Sequence, residues 1–382
     1  MRARPEGVGE GDVRLALAEG WRIDAAAMRY AAVGGGSYHW VVRDACGEPW
    51  FVTVDDLDDK AWLGHNRPAV MAGLRSRMEM ALALRREADL EFVVAPIPGG
   101  DGATVRPVGP RYAVAVFPFL GGTAGRFGEV LPAAERAALV DMLAALHGSA
   151  RHGSARHGSA RHGSARHGSA RHGSARHGST LAGAPVAAIG LAQREALDAA
   201  LRDLGQPWRA GPFAEPARAL LAAAADRVRR LLEIFDQRAE VVRARESVIT
   251  HGEPHPGNVM RVGSRLMLID WDTVGLGPPE RDLWWVIDQA GAASRRYADL
   301  TGRAVDPAGL AWYRLRWALD DISIFVNQLR TEHRRTADTE HAWLALKETV
   351  AGLTALRCPP MSPPASRSAG GRSAGCPSAG NC

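Results

Sequence analysis

Residues 247–272 carry the stretch on which the fold turns: Ser247-Val-Ile-Thr250, then His251-Gly252-Glu253-Pro254-His255-Pro256-Gly257-Asn258, then, past Val259 to Ser264, Arg265-Leu-Met-Leu-Ile-Asp270-Trp271-Asp272. Two short apolar runs, each ending in polar residues, predict two buried strands with Glu253, Asn258 and Asp270 on the loops at their ends. Groups placed in this way are exposed yet rigidly held. Transfer of a phosphoryl group asks for this inventory. A carboxylate faces the acceptor hydroxyl, while an amide and a second carboxylate give hard oxygen ligands for Mg2+ at the nucleotide phosphates.

His251 and His255, four apart with Glu253 between them, invite comparison with a zinc-hydrolase helix. That site needs both imidazoles on one helical face, and Gly252, Pro254, Pro256 and Gly257 forbid a helix. The step of five from Glu253 to Asn258 equals the step from base to asparagine in the protein-kinase catalytic loop. With His-Gly-x-x-His-Pro-Gly-Asn followed twelve residues after the Asn by Ile-Asp-Trp-Asp, the chain resembles the aminoglycoside phosphotransferase family over residues 10–355, apart from a repeat described below. The resemblance implies an α+β, two-lobed protein-kinase-like fold. A small β-rich N-lobe (1–120) would bind nucleotide, and a larger, mainly helical C-lobe (121–357) would carry catalysis and the acceptor. It implies that Asn258 and Asp270 are the magnesium ligands and that Glu253 takes the place of the catalytic aspartate. His251, grouped with Glu253 in the catalytic loop, would hold that loop by hydrogen bonds.

Working outward, Met28–Val33, His39–Arg43 and Trp50–Val54 read as three short strands, joined by Gly34-Gly35-Gly36 and by a turn around Asp44 and Gly47. Pro68–Asp89 has helical spacing, and Glu91–Ile97 and Tyr112–Phe119 read as two further strands. From residue 129 the pattern is mainly helical, over 129–147, 194–204, 216–244, 279–292, 307–329 and 340–356. The resemblance makes Gly34, Gly35, Gly36 and Ser37 the nucleotide-covering loop, although the same turn reads equally as a plain hairpin. It makes Phe117 and Phe119 part of the adenine-contacting linker, where an ordinary buried strand and turn is the competing reading.

Two residues depart from the family pattern. The third strand is expected to hold a lysine for the α- and β-phosphates, and Thr53 stands there. Only Lys60 is nearby, because the other lysine of the chain is Lys347; the charge must come from Lys60 or an arginine, or Mg2+ and backbone act alone. Glu79 in the following helix matches the acid that pairs with that lysine, or else lies on a solvated face. The second departure is Glu253 in place of Asp, one methylene longer. Phosphoryl transfer draws chiefly on positioning and charge neutralisation, so a repositioned Glu remains competent.

The chain has 382 residues, 46% hydrophobic and 23% charged, with a net charge of +5. No apolar run approaches the ~18 residues of a membrane helix, no signal peptide opens the chain, and a cytoplasmic location is expected. Six arginines lie in an acid-free repeat of His-Gly-Ser-Ala-Arg over 147–180, and three (Arg357, Arg367, Arg372) in an acid-free tail. Without those nine the rest carries −4, which speaks against nucleic acid as a partner. No protein partner is evident. The repeat reads as an expanded surface loop, with metal chelation by its seven evenly spaced histidines as the sharper alternative. Residues 358–382, rich in Pro, Gly and Ser, read as a disordered tail. Three of the four cysteines fall there, in no metal or disulfide spacing, and Cys46 stands alone.

For the acceptor, Asp320 and Asp321 form a candidate acidic wall, with a solvated turn of helix as the competing reading, and Asp272 follows the metal carboxylate. Trp271, Trp284 and Trp285 are candidates for stacking on a sugar ring, although tryptophans this frequent are usually core. Asp282, after Pro278-Pro279-Glu280, reads as a helix cap. The expected function is therefore a Mg2+-dependent kinase that transfers the γ-phosphate of ATP or GTP to a hydroxyl of an aminoglycoside-like or other small cationic acceptor. The alternative, favoured by Thr53 and Glu253, is a catalytically impaired kinase-like nucleotide-binding or interaction protein.

Overall fold

The structure, a computed structural model, describes residues 1–158, 180–287 and 291–356. The repeat between 159 and 179, and the tail from 357, lie outside the described residues, so the readings made for them are not addressed.

An α-helix, α1 (Glu10–Trp21), precedes three strands, β1 (Ala25–Ala31), β2 (Tyr38–Asp44) and β3 (Pro49–Asp56). Helix α2 (Arg67–Arg86) follows, then β4 (Arg106–Val108) and β5 (Tyr112–Pro118). The strands form one antiparallel sheet in the order β1-β2-β3-β5-β4. Period-two alternation sends Val52, Val54, Val114 and Val116 to the face covered by Val13 and Leu17 of α1. Ala113 and Ala115 point the other way, onto Val70, Leu74 and Met78 of α2. Phe51, Thr53 and Asp55 alternate with the buried valines of β3 and so share the α2 side. Helix α2 starts at a side-chain cap, Asn66 accepting from Ala69 N at 3.0 Å, with Pro68 in the first turn.

Of the expected strands, Glu91–Ile97 does not form. Among the described residues that segment makes an isolated bridge between Val93 and Leu268, and Ile97 N donates to Val116 O at 2.7 Å. Pro96 and Pro98 lack the N–H groups that a ladder would use.

After the short β6 (Thr123–Ala124) come α3 (Ala133–Gly158), α4 (Arg194–Arg202) and α5 (Ala214–Arg243). Then β7 (Val248–Thr250), β8 (Val259–Val262), β9 (Arg265–Leu268) and β10 (Gly275–Gly277) form two small sheets, β10-β7 and β6-β8-β9. Helices α6 (Glu280–Leu283), α7 (Ala292–Thr301), α8 (Pro307–Arg330) and α9 (Ala337–Gly352) complete the chain. Helix α3 runs into the first units of the repeat, past the expected end at His147, because a helix already nucleated propagates at little cost. Of the expected helix over 279–292, α6 forms over four residues and turns follow from Trp284, while residues 288–290 lie outside the described residues. Arg314 Nη2 donates to the carbonyls of Trp284 (3.4 Å) and Ile287 (3.0 Å).

Two apolar clusters build the C-lobe. One joins α4, α5, α8 and α9 around Trp312, Leu319 and Phe235. The other joins Leu139, Leu143 and Leu146 of α3 to Ile249, Val259, Leu268 and Trp271, and reaches Met80 and Leu84 of α2. The strands of the 247–272 motif are thus rooted in a core that both lobes share.

His39 of β2 stacks on Phe51 (ring centroids 5.1 Å apart, 27° between planes), with Nδ1 3.3 Å from Thr53 Oγ1. Burial first, then the charges of the N-terminal amine and Lys60, push its imidazole down to about 3. A neutral folded imidazole gives stability that is complete above the unfolded value of ~6.5 and is lost as pH falls, because the unfolded chain takes up the proton first. Urea unfolding at pH 7 to 5 should therefore show a slope up to ~1.4 kcal/mol per pH unit steeper in the wild type than in His39→Gln. Equal slopes would contradict a neutral buried His39.

Candidate active site

The loop after β7 is held from beneath by one carboxylate. Asp282, fully buried at the start of α6, accepts from His251 N (2.8 Å) and Gly252 N (2.6 Å), and its Oδ2 lies 3.0 Å from His147 Nε2. His147 Nδ1 is 2.8 Å from the Tyr297 hydroxyl. Burial alone would raise the Asp282 carboxyl; hydrogen bonding and charge from His147, with Arg281 beside it, hold it below the usual carboxylate range. Asp282 is thus the anchor of the loop, and the capping role expected for it is replaced. His147 likewise leaves the repeat and joins the buried anchor. The signal was present in the spacing: Leu139, Leu143 and His147 step by four along one helical face.

His251 is buried, with Nε2 2.9 Å from Ile269 O and Nδ1 accepting from Glu253 N at 3.2 Å. It holds the loop through both ring nitrogens and contacts no reacting group. Gly252 takes φ +103°, and a side chain there would collide with the Arg281 guanidinium. That guanidinium donates to Thr250 Oγ1 (2.7 Å) and Thr273 O (2.8 Å), which ties β7 to the turn after Asp272.

The backbones of the two expected metal ligands are brought close together. Val259 and Leu268 are register partners, and Ile269 N donates to Asn258 O at 3.1 Å, so Asn258 lies opposite Ile269 and Asp270 is one residue on. Asn258 Nδ2 is spent on Glu253 O (2.9 Å), which leaves Oδ1 without a hydrogen bond among the described residues. The Asp270 carboxylate has no hydrogen bond or ion pair there either, and Asp270 takes φ +65°, an uncommon conformation for a non-glycine residue. An unused amide oxygen and an unused carboxylate fit a hard divalent cation. Surrounding protein, then the charge of Asp272, push the Asp270 carboxyl well above its usual range. Because the residue is exposed to solvent, the burial part is weaker than it would be for an enclosed group.

Glu253, half-buried, is pushed up to about 7 by burial and then by Asp272, with Arg281, Arg316 and Lys60 pulling the other way. Lys60 is enclosed, with its Nζ 2.5 Å from Asp272 Oδ2 and 3.1 Å from Asp55 Oδ1. Ser37 Oγ donates to Asp55 Oδ1 at 2.5 Å, which places the Gly34–Ser37 turn over the same point. Gly35 is exposed at the tip of that turn. Phe117 is half-buried against the α2 cluster, while Phe119 is exposed after β5.

Several expected roles change. Glu79 is exposed and makes no ion pair with Lys60; the inward face of α2 carries Arg77 instead, and Asp55 and Asp272 are the partners of Lys60. Thr53 faces His39. Asp272 is consumed by Lys60 and is not open to an acceptor. Trp271 is buried, donates to Leu268 O (2.9 Å) and packs on His251 at 4.5 Å, so no ring can stack on it. Asp320 accepts from Ala192 N (2.7 Å) and pairs with Arg316 (3.3 Å), while Asp321 is engaged by the side chains of Thr349 and Trp317. Asp321 is pushed up to about 7, by burial first and then by Asp320 and Glu253.

The sequence offered Trp285 as a stacking ring but did not show the group it forms beside the loop with Phe127 and Trp317. Phe127, 61% exposed, lies 5.3 Å from the His255 ring, 5.8 Å from Trp285 and 6.1 Å from Trp317, and Trp285 and Trp317 meet at 4.8 Å. A hollow lined by Arg194, Asp198, Arg229 and Asp236 lies between α4 and α5; it holds no motif residue, and Arg194 pairs with both aspartates.

Replacing the Asp282 carboxylate by an amide should cost about 3–5 kcal/mol, because two loop amides and His147 lose a buried charged acceptor. Asp282→Asn should therefore lower the denaturation midpoint sharply. A loss under about 1 kcal/mol would contradict the anchoring role.

Comparison with known proteins follows the same lines. Protein StrN of Streptomyces griseus is 25% identical over 316 residues, covering 81% of this chain and 82% of StrN. Spectinomycin phosphotransferase APH(9)-Ia, solved with ADP and spectinomycin, superposes with a TM-score of 0.64 at 14% identity, covering 92% of this chain and 99% of that one. Amicoumacin kinase hAmiN, solved with AMP-PNP and Ca2+, gives a TM-score of 0.51 at 13% identity, covering 91% and 93%. These likenesses show the two-lobed, kinase-like fold. Residues 25–318, most of the chain and all of the loops described above, match the model of the phosphotransferase enzyme family, and the chain belongs to that family.

Proposed function

We propose that this phosphotransferase moves the γ-phosphate of ATP or GTP, in the presence of Mg2+, to a hydroxyl of a small cationic, ring-bearing acceptor such as an aminoglycoside-like antibiotic. One observation carries the reading: Asn258 Oδ1 and the Asp270 carboxylate are both left without a hydrogen bond among the described residues, on backbone positions that neighbour each other at the ends of β8 and β9 and next to the loop that bears Glu253. A bound Mg2+ supplies charge neutralisation at the phosphates. Asn258 and Asp270 would hold it. Glu253 would accept hydrogen bonding from the acceptor hydroxyl and orient its oxygen, a role that rests on placement more than on base strength.

The acceptor side is drawn by Asp321, which senses the charge of Glu253, and by the rings of Phe127, Trp285 and Trp317. A carboxylate beside aromatic faces favours a cation on a ring with an apolar side. The known ligands of the structural neighbours, spectinomycin among them, support a small-molecule acceptor. A role in antibiotic resistance follows from this reading.

The test is nucleotide consumption with Mg2+ against aminocyclitols, aminoglycosides, other amino sugars, choline and homoserine, with the phosphorylated product identified by mass. At least one cationic ring acceptor should turn over, Asp270→Ala should abolish turnover, and Asp321→Asn should raise KM for that acceptor more than it lowers kcat. Undiminished turnover in Asp270→Ala would contradict the proposal. Binding of Mg2+ and nucleotide with no transfer to any acceptor would favour the impaired, nucleotide-binding alternative.

A further inference from the structure

The strand position where the family pattern places a phosphate-binding lysine holds Thr53, whose hydroxyl is turned to His39 Nδ1 at 3.3 Å. The charge is nonetheless present. Seven residues on, past the end of β3, the chain turns back and buries Lys60 with 1% of its side chain exposed. Its Nζ meets Asp55, which lies on the same face of β3 as Thr53 and two residues beyond it, and Asp272, 212 residues away in the C-lobe. Asp270 adds to the field that holds the ammonium charged. Above it lies the glycine turn: a Cβ built on Gly36 would stand 4.0 Å from Nζ, and Ser37 is bonded to Asp55.

The usual helix partner has moved as well. Helix α2 offers Arg77 on its buried face and Glu79 to solvent, and the acids that face Lys60 come from β3 and from the Asp270-Trp271-Asp272 segment. An ammonium has three N–H donors, and two carboxylates account for two of them. The third is not taken by a carboxylate, and the ring of Trp62 lies 5.2 Å from Nζ.

We propose that Lys60 is a transposed phosphate-binding lysine: it supplies, from the loop after β3, the ammonium that contacts the nucleotide phosphates, with Asp55 and Asp272 as its orienting carboxylates. This rests on the kinase reading given above. Nucleotide entry lifts the exposed glycine turn and places phosphate oxygens against Nζ. The pairing with Asp272 couples that contact to the segment bearing Asp270, so the arm of the N-lobe and the metal carboxylate of the C-lobe are set by one buried charge.

The chain has only two lysines, which makes the test direct. An ADP derivative bearing an acyl group on its terminal phosphate acylates a neighbouring lysine. The ammonium first passes one proton to a neighbouring carboxylate or to solvent, and the free amine nitrogen attacks the acyl carbon. The acyl–oxygen bond breaks, a second N–H proton is released as the amide forms, and the nucleotide leaves with its phosphates. Peptide mapping of the wild-type protein with Mg2+ should place the label on Lys60 and not on Lys347, and excess ATP should suppress it. In parallel, Lys60→Met should weaken nucleotide binding or lower kcat by about 100-fold, the loss of a charge-assisted contact. Adding Thr53→Lys to that variant should recover about tenfold or more of the loss. Should Lys60→Met fail to fold, the wild-type labelling decides. Label confined to Lys347, no label, or unchanged binding and kcat in a folded Lys60→Met would overturn the proposal while leaving the kinase reading intact. Absence of recovery with Thr53→Lys would overturn the equivalence of the two positions. Failure of the wild-type protein to bind any nucleotide with Mg2+ would overturn both readings together.

Discussion

A single buried carboxylate sets the geometry of the loop after β7. Asp282 collects two successive backbone amides, from His251 and Gly252, and is itself fixed by His147 and through it by Tyr297. A buried charge is tolerated only when it is fully hydrogen-bonded, and here its partners are the backbone whose path matters. The loop that leaves this anchor has no choice of direction, because Gly252 is in the left-handed region and is pressed against Arg281. Glu253 and Asn258 inherit their positions from it, and Asn258 is joined in turn to the end of β9. Helices α3, α6 and α7 thus serve the chemistry although none of them touches it.

A second buried interaction joins the lobes. Lys60 of the N-lobe and Asp272 of the C-lobe form an enclosed ion pair, and Asp55 shares it. Such a pair is an uncertain source of net stability, since desolvation offsets much of the attraction, but removal of one partner leaves the other charge stranded. Its clearest effect is on register: the end of β3, the glycine turn and the Asp270 segment are brought to one point. The shared apolar cluster, in which Met80 and Leu84 of α2 meet Leu139, Leu268 and Trp271, makes that register rigid.

The motif at 247–272 made the chemistry legible, because glycine, proline and the placement of hard oxygen donors leave few conformations and few reactions open. The three-stranded start of the N-lobe and helices α2, α4, α5 and α8 were legible from periodicity. What periodicity could not show was partnership across long sequence separation. Asp282 has the local appearance of a cap, and only the fold reveals that its oxygens face the loop 30 residues earlier. Glu79 satisfied a pattern, but the buried face of α2 carries Leu74, Arg77, Met78 and Met80 and turns Glu79 to solvent. Trp271 could be read as a stacking ring or as core, and the core reading holds: its indole is buried beneath His251.

The central claim is that Asn258 and Asp270 act together on one divalent cation next to the nucleotide. Calorimetric titration of ATP or GTP with and without Mg2+ tests it most directly, in the wild-type protein and in Asn258→Ala and Asp270→Asn. The account predicts that Mg2+ strengthens nucleotide binding by about tenfold or more in the wild type and that either substitution removes most of this gain. Retention of the full Mg2+ effect in both variants would contradict it.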